Sequence, residues 1–138
     1  MTTYTMAWGW DDDDPSGQHT IRVQTVEDVD TALNRLASDG AVRVIDVYEG
    51  VWAEGQPTPP YGFQLVWGHP ERAALTWLGD DPAIAADPSL PEWTEPIPND
   101  QDETPPHHTR ITPAQVREAL HQYIHTRRQP TNVRWEQH

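Results

Sequence analysis

The chain has 138 residues, a formal net charge of −13 and no cysteine. A chain of this length buries roughly two-thirds of its unfolded surface and folds as one domain without covalent staples. The missing cysteines exclude disulfides, thiolate nucleophiles and cysteine metal sites. The acidity disfavours direct binding to a phosphate backbone.

Charge is unevenly placed, and every basic side chain is arginine. Residues 1–109 carry four arginines against twenty acids, whereas residues 110–138 carry five against two. Such a surface attracts a basic partner and speeds encounter with it, although it also serves solubility alone. Seven tryptophans are many for this length. Tryptophan fills cores and anchors interfaces alike. The opening Met1-Thr2-Thr3-Tyr4-Thr5-Met6 has neither a basic nor an apolar leader region. No run approaches the ~18 apolar residues of a membrane span. A cytoplasmic protein with no membrane partner is the expectation.

In chain order, Thr3 to Trp10 alternates as a strand and stops at Asp11, Asp12, Asp13 and Asp14, whose mutual repulsion, with Pro15 and Gly17, marks a turn. His19 to Gln24 reads as a second strand, with Ile21 and Val23 on one face. Thr25 is placed as an N-cap, with Glu27 and Asp28 in the first turn where the helix dipole favours acids. Val26, Val29, Leu33 and Leu36 share one helix face, and Asp39-Gly40 supplies a left-handed stop. Ala41 to Tyr48 is apolar on both faces and predicts a central strand. Gly50 to Tyr61, rich in proline and glycine, predicts a long loop.

Gly62 to His69 and Arg72 to Leu78 predict a hairpin around His69-Pro70-Glu71, with Trp67 and Trp77 paired across it. Residues 79–110, rich in proline and acid and without periodicity, read as a loop ordered in parts or a flexible connector. Thr112 then caps a helix from Pro113 to about Thr126, with Val116, Ala119, Leu120, Tyr123 and Ile124 on its apolar face. Pro130 ends it, and Thr131 to Trp135 is the last strand. Trp77 and Trp135, both in strands, are assigned to the core. The order β-β-α-β-β-β-α-β predicts a single α+β domain over 1–138, an antiparallel or mixed sheet with two helices packed on it.

Catalytic constellations are weak. His121 and His125 share a helix face at metalloprotease spacing, but Gln122 stands where a general-base glutamate is needed. Both histidines fall opposite the apolar face, which predicts solvent exposure and no metal. A calcium loop from Asp12 would place Gly17 correctly, but puts Val23 where a bidentate glutamate belongs. Ser16, Ser38 and Ser89 lack a nucleophile elbow, and no phosphate loop is present. The residues therefore predict no enzyme and no cofactor. A small metal-dependent hydrolase built on His121 and His125 is the weakest reading.

The segment Ile111-Thr112-Pro113-Ala114-Gln115-Val116-Arg117-Glu118-Ala119-Leu120, followed by Thr126-Arg127-Arg128-Gln129-Pro130-Thr131-Asn132-Val133-Arg134-Trp135-Glu136, resembles the C-terminal signature of Immunity protein family 1 of bacterial polymorphic toxin systems, common in actinobacteria. In that pattern Arg127 stands where glycine is usual, and Gln129 where arginine is usual. The Thr25 to Leu36 helix and the Ala73 to Asp80 strand resemble the family's corresponding elements. The resemblance implies a cytoplasmic antitoxin that binds a toxin domain, often a nucleic-acid deaminase, by protein–protein contact without catalysis. Candidate contacts are the loop residues Asp11, Asp12, Asp13, Asp14, Trp52, Glu54, Glu92, Trp93 and Glu95, with Trp93 as the exposed aromatic anchor. The alternative is an acidic adaptor or nucleic-acid mimic that binds another basic protein.

Overall fold

The computed structural model describes residues 2–9, 19–50, 61–79 and 81–137. Among them the elements run β1 (Tyr4–Trp8), β2 (His19–Val23), α1 (Val26–Ala37), β3 (Arg43–Glu49), β4 (Tyr61–Trp67), β5 (Ala74–Trp77), β6 (Ala83–Ala86), β7 (Ile97–Pro98), β8 (Glu103–Thr104), α2 (Pro113–Thr126) and β9 (Arg134–Gln137). Seven strands form one sheet in the order β2-β1-β3-β4-β5-β6-β9. Every neighbouring pair is antiparallel, and β7 and β8 form a separate hairpin. The α+β expectation is borne out in its antiparallel form.

Both helices lie on one face of the sheet. The pleat sends Tyr4, Met6, Val23, Ile45, Val47, Phe63, Leu65 and Leu75 to that face, where they meet Val29, Leu33 and Leu36 of α1 and Val116, Leu120 and Tyr123 of α2. Each such side chain, fully buried, contributes about 1.5–3 kcal/mol. Phe63 sits at the centre of an aromatic group, 4.8 Å from Tyr123 and 5.1 Å from Trp77 between ring centroids. Trp77 and Trp135 flank this core half-buried.

Local chemistry sets the helix ends as the sequence predicts. Thr25 and Asp28 form a capping box on α1, and Thr112 and Gln115 form one on α2 with Pro113 at the first helical position. Each box satisfies two otherwise orphaned amides. Arg43 donates to the Leu36 carbonyl and pairs with Asp39, which closes the C-terminus of α1. Gly40 follows at φ +73.

Three sequence readings are corrected. Trp67 and Trp77 do not face each other, because the register pairs Trp77 with Phe63 and places Trp67 at the hairpin's other end. Trp67 instead donates its indole N–H to the Leu33 carbonyl at 2.8 Å and ties α1 to the sheet. The last strand begins at Arg134, after bends at residues 131–133. The third correction concerns residues 79–110. They contribute β6, a strand inside the sheet between β5 and β9, and then β7 and β8. All four residues of β6 are buried, so no polar-out alternation marks it as a strand.

Candidate protein-binding surface

The segment between β6 and α2 is fixed to the sheet at several points. It leaves β6 through Asp87, whose carboxylate accepts from the Ser89 amide and hydroxyl and from the Gln115 side chain. Those hydrogen bonds, Ser89's first, hold the Asp87 carboxyl below its ordinary range. The chain then runs exposed from Pro91 to Pro96. Asn99 closes the β7–β8 turn by accepting from the amides of Gln101 and Asp102 at 2.8 Å each. Asp100 takes the Val44 amide of β3 at 2.9 Å. The Pro106–His108 3₁₀ turn follows, and the Ala73 amide donates to the Ile111 carbonyl at 2.9 Å.

This segment covers the sheet face opposite the helices. Val44, Val66 and Ala74 form a small apolar patch there. With Asn99, Asp102, Thr104 and His108 they border a groove of about 210 Å³. On the same face, burial pushes the Asp46 carboxyl up, and a hydrogen bond from Gln64 partly offsets it.

The candidate contact residues divide in two. Asp11, Asp12, Asp13, Asp14, Trp52 and Glu54 lie outside the described residues. Glu92, Trp93 and Glu95 are brought together on the exposed run, and Trp93 is 41 % exposed, the exposed large hydrophobic side chain among the described residues. Neither Glu92 nor Glu95 joins an ion pair among those residues. A groove of about 440 Å³ opens beside Trp93, lined by Glu92, Thr94, Pro106, His107 and Arg110.

Beneath Trp93 lies Arg72, which sequence reasoning read only as the start of a strand. It is 4 % exposed, and its guanidinium carbon sits 4.3 Å from the centre of the Trp93 ring. Its Nη2 donates to the Glu95 carbonyl at 2.7 Å and to the Thr109 hydroxyl at 2.6 Å. Its Nε is buried without a hydrogen-bond partner among the described residues. Burial lowers the Arg72 pKa from its usual value, with Glu95 partly opposing; arginine remains charged all the same. The nearby His69 accepts the amides of Glu71 and Arg72 at Nδ1, and its ring meets Trp93 at 6.4 Å.

The histidine pair is placed differently from expectation. His125 is exposed, but His121 is half-buried between the helices. Its Nε2 lies 2.8 Å from Asp30 Oδ1, the same oxygen that accepts from Arg117 at 2.7 Å. The Arg117 hydrogen bond first, and that of His121 after it, hold the Asp30 carboxyl below the usual range. His121 thus joins α2 to α1. Among the described residues no cluster of three or more His, Cys, Asp or Glu is arranged to hold a metal ion. No helix among them is long and apolar enough to cross a membrane.

Set against known protein families, residues 17–137 match the family model described as Immunity protein Imm1. No curated protein and no solved structure matches the chain.

Proposed function

The chain belongs to the Imm1 immunity protein family and is therefore an immunity protein directed against a toxin; we propose that it neutralises that toxin by binding it and occluding its active or substrate-binding site, without catalysis. The partner is a basic toxin domain acting on nucleic acid, of the deaminase type, met in the cytoplasm. An enzyme that handles a polyanion needs a basic groove, and a protein of net charge −13 is both attracted to such a groove and able to fill it. Glu92, Trp93 and Glu95 supply the described part of the contact. The acidic run Asp11 to Asp14, with Trp52 and Glu54, completes it.

The observation that carries this reading is the exposed Trp93 between two carboxylates that join no ion pair among the described residues. It lies on a segment that continues from β6 on one side and is tied to β3 through Asp100 on the other. Aromatic anchors ringed by polar groups are typical of binding hot spots. The test is co-expression with the toxin domain encoded beside this chain. Growth should be restored and the two proteins should co-purify in equal amounts. Toxicity that persists despite soluble expression of both, with no complex recovered, would defeat the reading.

A further inference from the structure

We propose that Arg72 is a positioning residue for Trp93. It holds the indole as a rigid anchor whose outer face and adjoining groove receive an arginine or lysine side chain of the toxin, with Glu92 and Glu95 taking the charge. The inference rests on the immunity reading above.

Burying a guanidinium without a carboxylate is costly. Here Glu95 offers its backbone carbonyl and Thr109 its hydroxyl. The Glu95 carboxylate acts on the guanidinium only without a direct ion pair, and Nε has no hydrogen-bond partner among the described residues. An apolar side chain of similar length would fill this place at lower cost. What arginine adds is a flat cation stacked on the inner face of an otherwise exposed ring. A long-range clamp to residues 23 and 37 positions away fixes that plane, and the His69 ring bounds Trp93 at its edge. A side chain ordered before encounter loses less freedom on binding, which is how preorganised anchors gain affinity.

The chemistry of the partner follows from the rim. Glu92 and Glu95 are exposed and unpaired among the described residues. With a cation already on the inner face, the ring's outer face has less negative charge to offer a second one. It suits the aliphatic stem of a basic side chain, whose charged end then reaches the carboxylates.

Binding kinetics of the purified chain on the immobilised toxin domain test this. Trp93→Ala should weaken binding on the order of 30-fold or more, chiefly through faster dissociation. Arg72→Met should weaken it about tenfold when Trp93 is present and not at all in the Trp93→Ala background. Arg72→Lys, which keeps the charge without the planar fork, should fall between Arg72→Met and wild type, and serves if Arg72→Met fails to fold. Glu92→Lys with Glu95→Lys should slow association and flatten its salt dependence. In the free chain, ¹⁵N relaxation of the Trp93 indole N–H should show an ordered ring that loosens in both Arg72 variants.

Equal losses from the Arg72 change in both backgrounds would assign it a merely structural role and overturn the proposal. So would a Trp93→Ala chain that binds like wild type. Failure of the wild-type chain to bind the toxin at all would defeat the immunity reading itself, and with it this inference.

Discussion

Arg127 is the one non-glycine among the described residues with a positive φ, at 58°. It follows α2 in the left-handed conformation, where the family pattern usually places glycine. Its guanidinium reaches Glu49 on β3 at 2.5 Å, but both side chains are largely exposed, and such pairs contribute only ~0–1 kcal/mol. Backbone strain should therefore dominate at this position. Arg127→Gly should be more stable than Arg127→Ala by about 1 kcal/mol, because both lose the pair and only glycine relaxes the left-handed turn. Paired denaturant melts check this, and equal midpoints would refute it. Tyr123 supplies a pH signature of the core. Burial above all, with Tyr4 and Glu49 adding to it, pushes its phenol up to about 12. An unfolded tyrosine titrates near 10, so the unfolded chain releases this proton first as pH rises. The stability tied to Tyr123 is present below about pH 10 and is lost as pH climbs toward about 12. Melts across that range should show the slope in wild type, and Tyr123→Phe should flatten it.

The elements differ in how far their own residues determine them. Both helices and their N-caps Thr25 and Thr112 were legible, because such caps act on amides within a turn of themselves, whereas the capping boxes that Asp28 and Gln115 complete were not read. The central place of β3 was legible from its two apolar faces. What escaped were elements fixed by distant partners. Ala83 to Ala86 is a strand because β5 and β9 lie on either side of it, and small residues suit a strand buried throughout. Arg72 escaped for the same reason, since its burial depends on Glu95 and Thr109 arriving from later in the chain. Trp93 was legible as a candidate because acids and prolines around it leave no periodic element to bury it. The β7–β8 hairpin offers a test at this scale. Asp100 accepts the Val44 amide beyond the end of β1, whose last residue, Trp8, pairs with Ile45. Asp100→Ala should raise hydrogen exchange at the Val44 amide at least tenfold while amides in the middle of β3 stay protected. Unchanged exchange at Val44 would show that the hairpin is held by other contacts.

Across the whole molecule, most arginines of the C-terminal part are tied into the fold. Arg110 pairs with Glu136, Arg117 with Asp30 and Arg127 with Glu49, so three of its five arginines are engaged within the fold. The motif that carries the family resemblance is accordingly scaffold: α2 packs on the sheet and β9 closes one edge. The exposed Trp93 belongs instead to the acidic segment that precedes that motif, where it rests on Arg72. The proposed function places partner contact in that segment, which lies within the family match over residues 17–137. It also predicts that inhibition is a matter of occupancy, because a protein that blocks a site without catalysis consumes itself one for one. The most direct measurement is a titration of the toxin's activity with this chain, at toxin concentrations well above the dissociation constant. Activity should fall linearly to zero at one equivalent and then stay constant with time. A progressive loss of activity at a small fraction of an equivalent, or no inhibition at several equivalents, would contradict the account.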